Sequence, residues 1–190
     1  MIDVGEDDDS NYVQLRVTNG DAHGLYIALS HRWQNDTPIT TTANLNERRN
    51  GITLDCLPKA YQDTMHITRK LGIRFLWIDS LCIVQQDRTD WESEATRMGE
   101  VFAFAYCTIA IYPPKEASGS FEEGIEGGEL SRRGWISQER GLSRRTIHFV
   151  GEQMYWECGS VVWDKTSDKG SRCVSLAYAI FGREIDSFGC

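Results

Sequence analysis

The sequence lacks the patterns that mark several large classes of protein. It has 190 residues with six cysteines but no C-x-x-C pair, and its four histidines show no metal-ligand spacing. We therefore predict neither a disulfide framework nor a metal site. No apolar run approaches the roughly 20 residues of a membrane span, and the N-terminus has no basic-then-apolar signal segment. We expect a soluble, cytoplasmic protein that does not contact a membrane.

The chain also lacks an excess of positive charge. Lysine and arginine number 20 against 28 aspartates and glutamates, which gives a net charge of −8. A surface of this sign repels phosphate backbones, so a general nucleic-acid binder is excluded. Part of the negative charge lies in the run EDDDS, residues 6–10, which is typical of a solvated N-terminal leader.

Apolar runs that alternate with helical patterns predict an α/β fold. The predicted strands lie in Leu25–Ser30, Ile73–Ile83 and Cys107–Tyr112, and the predicted helices in Leu57–Gly72 and Thr89–Tyr106. The first helix has Pro58 in its first turn and Gly72 at its C-terminal end, as helices commonly do. Because the strands are apolar throughout, we predict a mainly parallel central sheet with both faces covered.

Polar side chains follow two of these strands. The first strand leads into Ser30, His31, Arg32 and Trp33, and the second leads into Asp79 and Ser80. In an open α/β sheet, ligands bind beyond the carboxyl ends of the strands. The sequence therefore predicts a small-molecule pocket at this edge. An aspartate at a strand end also commonly caps the following turn, so a structural role for Asp79 stays open.

The second predicted helix carries an acid, Glu94, among apolar positions. At about 100° per residue, Glu94 projects inward whereas Glu92 points to solvent. Thr89 and Glu92 match a capping box, which gives Glu92 a structural role. An inward carboxylate is costly unless it is paired or hydrogen-bonded. Two interpretations stay open: an ion pair with Arg32 or Arg97, or a functional acid.

Several blocks of the sequence carry a family resemblance. They are YIALSHRW, TTTANL, LPKAYQDTMHITRKLGIRFLWIDSLCIVQQD, DWESEATRMGEVFAFAYCTIA and RRGWISQERGLSRRTIHF with YWEC. In the same order over residues 26–158, they resemble the fungal heterokaryon-incompatibility (HET) domain. The chain is accordingly divided into an acidic leader with an edge strand (1–24), the HET domain (25–158) and a C-terminal extension with a helix (159–190). Its abrupt end suggests a piece of a longer protein.

The resemblance implies both a fold and a function. The HET family is remotely similar to Toll/interleukin-receptor (TIR) domains, which implies a flavodoxin-like three-layer fold with C-terminal strand additions. It also implies a role in fungal non-self recognition and programmed cell death, a form of innate immunity, by hydrolysis of NAD at the nicotinamide–ribose bond. In such enzymes a helical glutamate follows an aromatic residue by a few positions, which Trp91 and Glu94 match. Glu94 is thus implied as the catalytic residue.

The predicted substrate-binding residues surround this acid. They are Ser30, Arg32, Trp33, Asp79, Trp91, Gln138 and Glu139. The guanidinium of Arg32 suits the pyrophosphate, and Trp33 or Trp91 suits a flat ring, although core packing is open for both. The Gln138–Glu139 pair belongs to a family signature that either lines or braces the pocket. NAD is then a substrate and no cofactor is expected, because the sequence has no G-x-G-x-x-G or Walker loop.

Two other functions stay open. The first is a non-catalytic signalling module that self-assembles as a homo-oligomer and recruits a sensor domain or partner protein. A Glu94 held against an arginine without an adjoining cavity would favour this module. The second is a hydrolase that uses Cys82 with His31, although Cys82 lies in an apolar run typical of packing.

Overall fold

The computed structural model describes residues 1–7, 10–18, 24–112, 139–150, 153–158 and 161–164. The predicted site residue Gln138 lies outside these ranges. So do the Gly- and Glu-rich segment after Pro114 and most of the predicted C-terminal extension. The segment boundaries predicted from the sequence stay predictions.

Strands and helices alternate along the described residues. The strands are β1 (Ile2–Asp3), β2 (Tyr12–Leu15), β3 (Tyr26–His31), β4 (Ile52–Thr53), β5 (Phe75–Ile78), β6 (Cys107–Tyr112), β7 (Arg145–Val150), β8 (Gln153–Cys158) and β9 (Val161–Asp164). The helices are α1 (Leu45–Asn50), α2 (Lys59–Lys70), α3 (Asp79–Cys82) and α4 (Arg88–Phe104), with a 3-10 turn at Leu54–Cys56. Residues 139–142 form a further helical turn, called here the 139–142 turn.

The strands form one mixed sheet in the order β4-β2-β1-β5-β3-β6-β7-β8-β9. The central strands β5, β3, β6 and β7 are parallel, and the remaining described pairings are antiparallel. The predicted α/β class is confirmed, but the prediction of a mainly parallel sheet is wrong. The sequence pattern missed β1 and β4 because strands of two residues show no periodicity. The strands β7, β8 and β9 follow one another through short links, which join antiparallel neighbours.

Helices cover both faces of the parallel part of the sheet. Side chains alternate along β3, so Ile27 and Leu29 belong to the core that includes Met65 of α2. Ala28 belongs to a second core with Phe102 of α4. The carboxyl ends of the parallel strands therefore lie between two helical layers.

The described N-terminal residues contribute two strands, β1 and β2, to the sheet. Ile2 is fully buried in β1, which lies between β2 and β5. The guanidinium of Arg69 in α2 donates hydrogen bonds to three backbone oxygens of this segment. They belong to Val4 (2.7 Å), Ser10 (2.8 Å) and Tyr12 (3.2 Å). These hydrogen bonds connect the N-terminal segment to α2.

The start of α4 differs from the predicted capping box. The helix begins at Arg88, and the side chain of Asp87 accepts hydrogen bonds from the backbone of Thr89 (3.0 Å) and Asp90 (3.2 Å). Glu92 instead pairs with Arg88 at 2.7 Å on the exposed side of the helix. The capping prediction was wrong because an aspartate two residues earlier takes the N-cap position, which aspartate favours strongly.

Candidate functional site

The carboxyl ends of the parallel strands meet at one edge of the sheet. β3 ends at His31, and β5 ends at Ile78, directly before Asp79. Four of the predicted substrate-binding residues come together at this edge: Ser30, Trp33, Asp79 and Glu139. The site is therefore assembled from β3, the β5–α3 junction and the 139–142 turn.

Asp79 is the best-connected acid of the site. One carboxylate oxygen accepts a hydrogen bond from the indole N–H of Trp33 at 2.8 Å, and the other accepts from the backbone N–H of Ser80 at 2.6 Å. The side chain is 26% exposed. Burial raises the pKa of Asp79 to about 6, although both hydrogen bonds act to lower it. The Ser80 contact joins adjacent residues and does not cap α3, which has no side-chain cap. The Trp33 contact connects Asp79 to the loop that follows β3.

His31 belongs to a chain of hydrogen bonds beside Asp79. Its Nε2 lies 2.6 Å from the hydroxyl of Tyr61, which lies 2.8 Å from the hydroxyl of Ser80. The His31 side chain is only 8% exposed, and burial lowers its pKa to about 4, so the ring is neutral at pH 7. Burial also raises the pKa of Tyr61, which keeps that hydroxyl protonated.

Glu139 is the second acid of the site. Its carboxylate accepts a hydrogen bond from the hydroxyl of Ser30 at 2.5 Å. Burial raises the pKa of Glu139 to about 7; the Ser30 hydrogen bond opposes this, and the charge of nearby Asp79 adds to it. Like-charged neighbours in a desolvated site hold a proton near neutral pH, which is the behaviour required of a general acid or base.

The edge opens into a cleft of about 710 Å³, which lies within the size range of ligand pockets. It is lined by residues 31–37 together with Pro58, Ala60, Tyr61, Ile111 and Tyr112. The lining supplies a guanidinium from Arg32 and an indole from Trp33, which is 40% exposed. A cation beside an aromatic ring suits a ligand that has both a phosphate and a flat ring system.

An ion network anchors the 139–142 turn to the sheet. Arg140 donates two hydrogen bonds to the carboxylate of Glu157 in β8, at 2.8 and 2.9 Å. The same carboxylate lies 2.9 Å from Nε2 of fully buried His148, whose Nδ1 lies 3.1 Å from the hydroxyl of Tyr112. Burial acts to raise the pKa of Glu157, but His148 and Arg140 together lower it to about 2. Glu157 therefore stays ionised and holds Arg140, the residue next to Glu139, in place.

The structure places Glu94 apart from this site. Glu94 is 25% exposed and lines a second cleft of about 420 Å³, together with Tyr26, Trp77 and Arg97. Its carboxylate lies 3.6 Å from the guanidinium of Arg97. Trp91, one turn earlier, is 51% exposed. Both features considered from the sequence, an arginine neighbour and an adjoining cleft, thus occur together at Glu94.

Sequence reasoning missed part of the site at the carboxyl edge. Tyr61 lies within the predicted helix Leu57–Gly72 but was not predicted as a site residue. His31 was predicted to lie at this edge, but its one predicted chemical role was as a partner of Cys82. A tyrosine at the centre of a buried helix face was the available signal, because its hydroxyl needs a partner there. Cys82 instead contacts the backbone of its own segment, at Ile78 and Leu76.

Metal binding and membrane crossing are two further possibilities for the described residues. No three His, Cys, Asp or Glu side chains in this part of the chain lie close enough together to hold a metal ion. None of the described helices combines the length and the apolar character that crossing a membrane requires.

The fold and the site define an α/β domain with a cleft at the carboxyl ends of its parallel strands and with Asp79 next to the lining residues His31 and Trp33. The family model described as heterokaryon incompatibility protein (HET) matches residues 26–126, more than half of the chain. The chain therefore belongs to the HET family, which assigns it a role in heterokaryon incompatibility. No curated protein and no solved structure matches it.

Proposed function

We propose that the protein hydrolyses NAD at the nicotinamide–ribose bond, with Asp79 and Glu139 as the acids of the site. The observation that carries the proposal is the pair of carboxyl groups with raised pKa beside a cleft that also offers Arg32 and Trp33. In this proposal NAD is a substrate, and its loss is the event that kills incompatible fungal cells.

The chemistry needs charge stabilisation more than a strong nucleophile. As the bond breaks, nicotinamide leaves with the bonding electrons as a neutral molecule, and positive charge develops on the ribosyl carbon. The carboxylate of Asp79 stabilises that charge, as carboxylates do in glycoside hydrolysis. Glu139 in its ionised form takes a proton from the water whose oxygen bonds to the ribosyl carbon. The products are nicotinamide, ADP-ribose and one proton.

The remaining site residues bind other parts of the dinucleotide or position the acids. Arg32 pairs with the pyrophosphate, because a guanidinium matches phosphate oxygens in two-point contacts. Trp33 stacks on one base while its indole N–H orients Asp79. Ser30 fixes the carboxyl group of Glu139. This arrangement competes with the family-based assignment of Glu94, which lines the other cleft.

Nicotinamide release from NAD by the purified protein tests the proposal. We expect Asp79→Asn and Glu139→Gln to lower the rate by about 100-fold or more, the range seen when one charge-stabilising group is removed. Glu94→Gln and the matched control Glu92→Gln, on the same helix, keep the parental rate. Loss of activity in Glu94→Gln alone would show that the catalytic centre lies in the second cleft. No release by the parent at high protein concentration would refute the reaction itself.

A self-assembling signalling module is the second candidate function. Two large apolar side chains that α4 leaves exposed favour it. They are Trp91 and Phe104, and Phe104 is 68% exposed. Light scattering across protein concentrations tests it, with Trp91→Ala and Phe104→Ser as variants that abolish assembly. A parent protein that stays monomeric at every concentration while releasing nicotinamide would exclude the module as the sole function.

A further inference from the structure

One buried nitrogen at the site, Nδ1 of His31, has no hydrogen-bond partner among the described residues. The closest charged group is the carboxylate of Asp79, with Oδ1 3.9 Å from Nδ1. That separation is too long for a direct hydrogen bond. An unpaired polar atom in a side chain that is only 8% exposed is destabilising, so its retention at a cleft calls for a function.

The carboxylate of Asp79, 3.9 Å from Nδ1, favours the tautomer of His31 that carries the proton on Nδ1. In this tautomer Nε2 accepts a hydrogen bond from the hydroxyl of Tyr61 at 2.6 Å, and that hydroxyl lies 2.8 Å from the hydroxyl of Ser80. A neutral imidazole with an acceptor at Nε2 carries its proton on Nδ1. The nitrogen that faces Asp79 is therefore a donor, and the carboxylate across the gap is an acceptor.

We propose that His31 Nδ1–H and the carboxylate of Asp79 together bind one hydroxyl group of the sugar ring of the substrate. The hydroxyl oxygen accepts from His31 and its proton is donated to Asp79. An oxygen about 2.8 Å from each atom is compatible with a 3.9 Å gap. This inference rests on the proposed function and deepens it, since it identifies a ribose-bearing ligand through a sugar hydroxyl rather than through its base.

Binding requires a small rearrangement at Asp79. His31 Nδ1 is closed to solvent, and the second oxygen of Asp79 is held by the indole of Trp33. The incoming hydroxyl reaches the gap when Trp33 moves, and the partly exposed Trp33 ring then lies over the ligand. Among the described residues, the other acid whose charge acts at Asp79 is Glu139, which accepts a hydrogen bond from Ser30.

The proton position is tested first and without any ligand. Correlation of the imidazole 15N and 1H resonances of His31 is expected to show the proton on Nδ1 in the parent protein. Tyr61→Phe removes the donor to Nε2, so the proton is expected to move to Nε2. A parent protein with the proton on Nε2 would overturn the inference, whatever the protein does to NAD.

Affinity measurements test the ligand contact. Calorimetric titration in a Glu139→Gln background compares NAD with its analogues that lack the 2′- or 3′-hydroxyl of the nicotinamide ribose. We expect one analogue to bind roughly 10- to 100-fold more weakly than NAD. His31→Gln keeps the Tyr61 contact but loses the Nδ1 donor, so it should bind NAD as weakly as that analogue. His31→Asn keeps a donor near the Nδ1 position and should retain the discrimination.

The outcomes separate the two proposals. NAD that fails to bind in any background refutes the proposed function. NAD that binds, with equal affinity for both deoxy analogues and with no effect of His31→Gln, refutes the hydroxyl contact alone. Discrimination lost in His31→Gln and kept in His31→Asn supports it.

Discussion

At the scale of single residues, the site holds two acids whose pKa values are raised and a histidine whose pKa is lowered. Burial is the main cause in all three. The two acids therefore change charge close to neutral pH, although neither would do so in water, whereas the His31 ring stays neutral there. The same environment that suits the proposed chemistry makes both the activity and the stability depend on pH.

The rate of nicotinamide release is expected to rise with pH. Asp79 ionises near pH 6 and Glu139 near pH 7, and the proposed mechanism uses both in their ionised forms. The rate should therefore be lowest below pH 5 and level off above about pH 8, as expected one unit beyond the higher pKa. Initial rates at saturating NAD across this range provide the measurement. A rate that is constant from pH 5 to 8 would contradict the assignment.

The free energy of unfolding is expected to depend on pH because Glu139 is buried. Below pH 4.5 the acid is protonated in the folded and unfolded states alike. Between pH 4.5 and about 7 the unfolded chain loses this proton while the folded protein keeps it, so rising pH favours unfolding. Glu139→Gln removes this dependence. Toward the upper end of this pH window, its free energy of unfolding should exceed that of the parent by about 2–3 kcal/mol. Urea unfolding at several pH values measures the difference; parallel curves would contradict it.

At the scale of elements, the 139–142 turn depends on a partly buried ion network rather than on its own length. We expect a double-mutant cycle on Arg140→Met and Glu157→Gln to give a coupling energy of about 1–3 kcal/mol, because each single variant removes the opposite charge that the remaining group faces in a partly buried site. The exposed pair Arg88–Glu92 on α4 is the matched control and should give a much smaller coupling. Equal coupling in both pairs would show that the network does not hold the turn.

The elements that could be predicted from the sequence are the long or strongly apolar ones. β3, β5 and β6 are continuous apolar runs, and α2 follows Pro58 and ends before Gly72, which has the positive φ that glycine favours. β1 and β4 could not be predicted, because their partners are fixed by the tertiary fold and not by any local pattern. The N-cap of α4 was misassigned for a related reason: Thr89 also fits the capping pattern, and only the backbone geometry selects Asp87.

The candidate site was predictable to the extent that it lies at strand ends. Ser30, Trp33 and Asp79 follow apolar runs, so their common edge followed from a parallel sheet. Glu139 was suggested only by family resemblance, because its segment is far from β3 in the sequence. The link between His31 and Tyr61 joins residues 30 positions apart and has no local signal.

At the scale of the whole molecule, Arg69 joins the N-terminal strands to α2. We expect Arg69→Lys to lower the free energy of unfolding by about 2 kcal/mol or more, because one ammonium group cannot serve three carbonyls in the same plane. Arg49→Lys, at an exposed position of α1, is the matched control and should have little effect. Chemical denaturation of both variants provides the test. Equal stability of Arg69→Lys and the parent would contradict this role.

The position of β1 also affects how the protein is made. β1 is synthesised well before β5, one of its two partner strands, which begins only at Phe75. Until β5 emerges from the ribosome, the apolar residues of β1 lack half of their pairing surface and are open to chaperones or to neighbouring nascent chains. A pause in translation after β5 has emerged would give β1 time to dock.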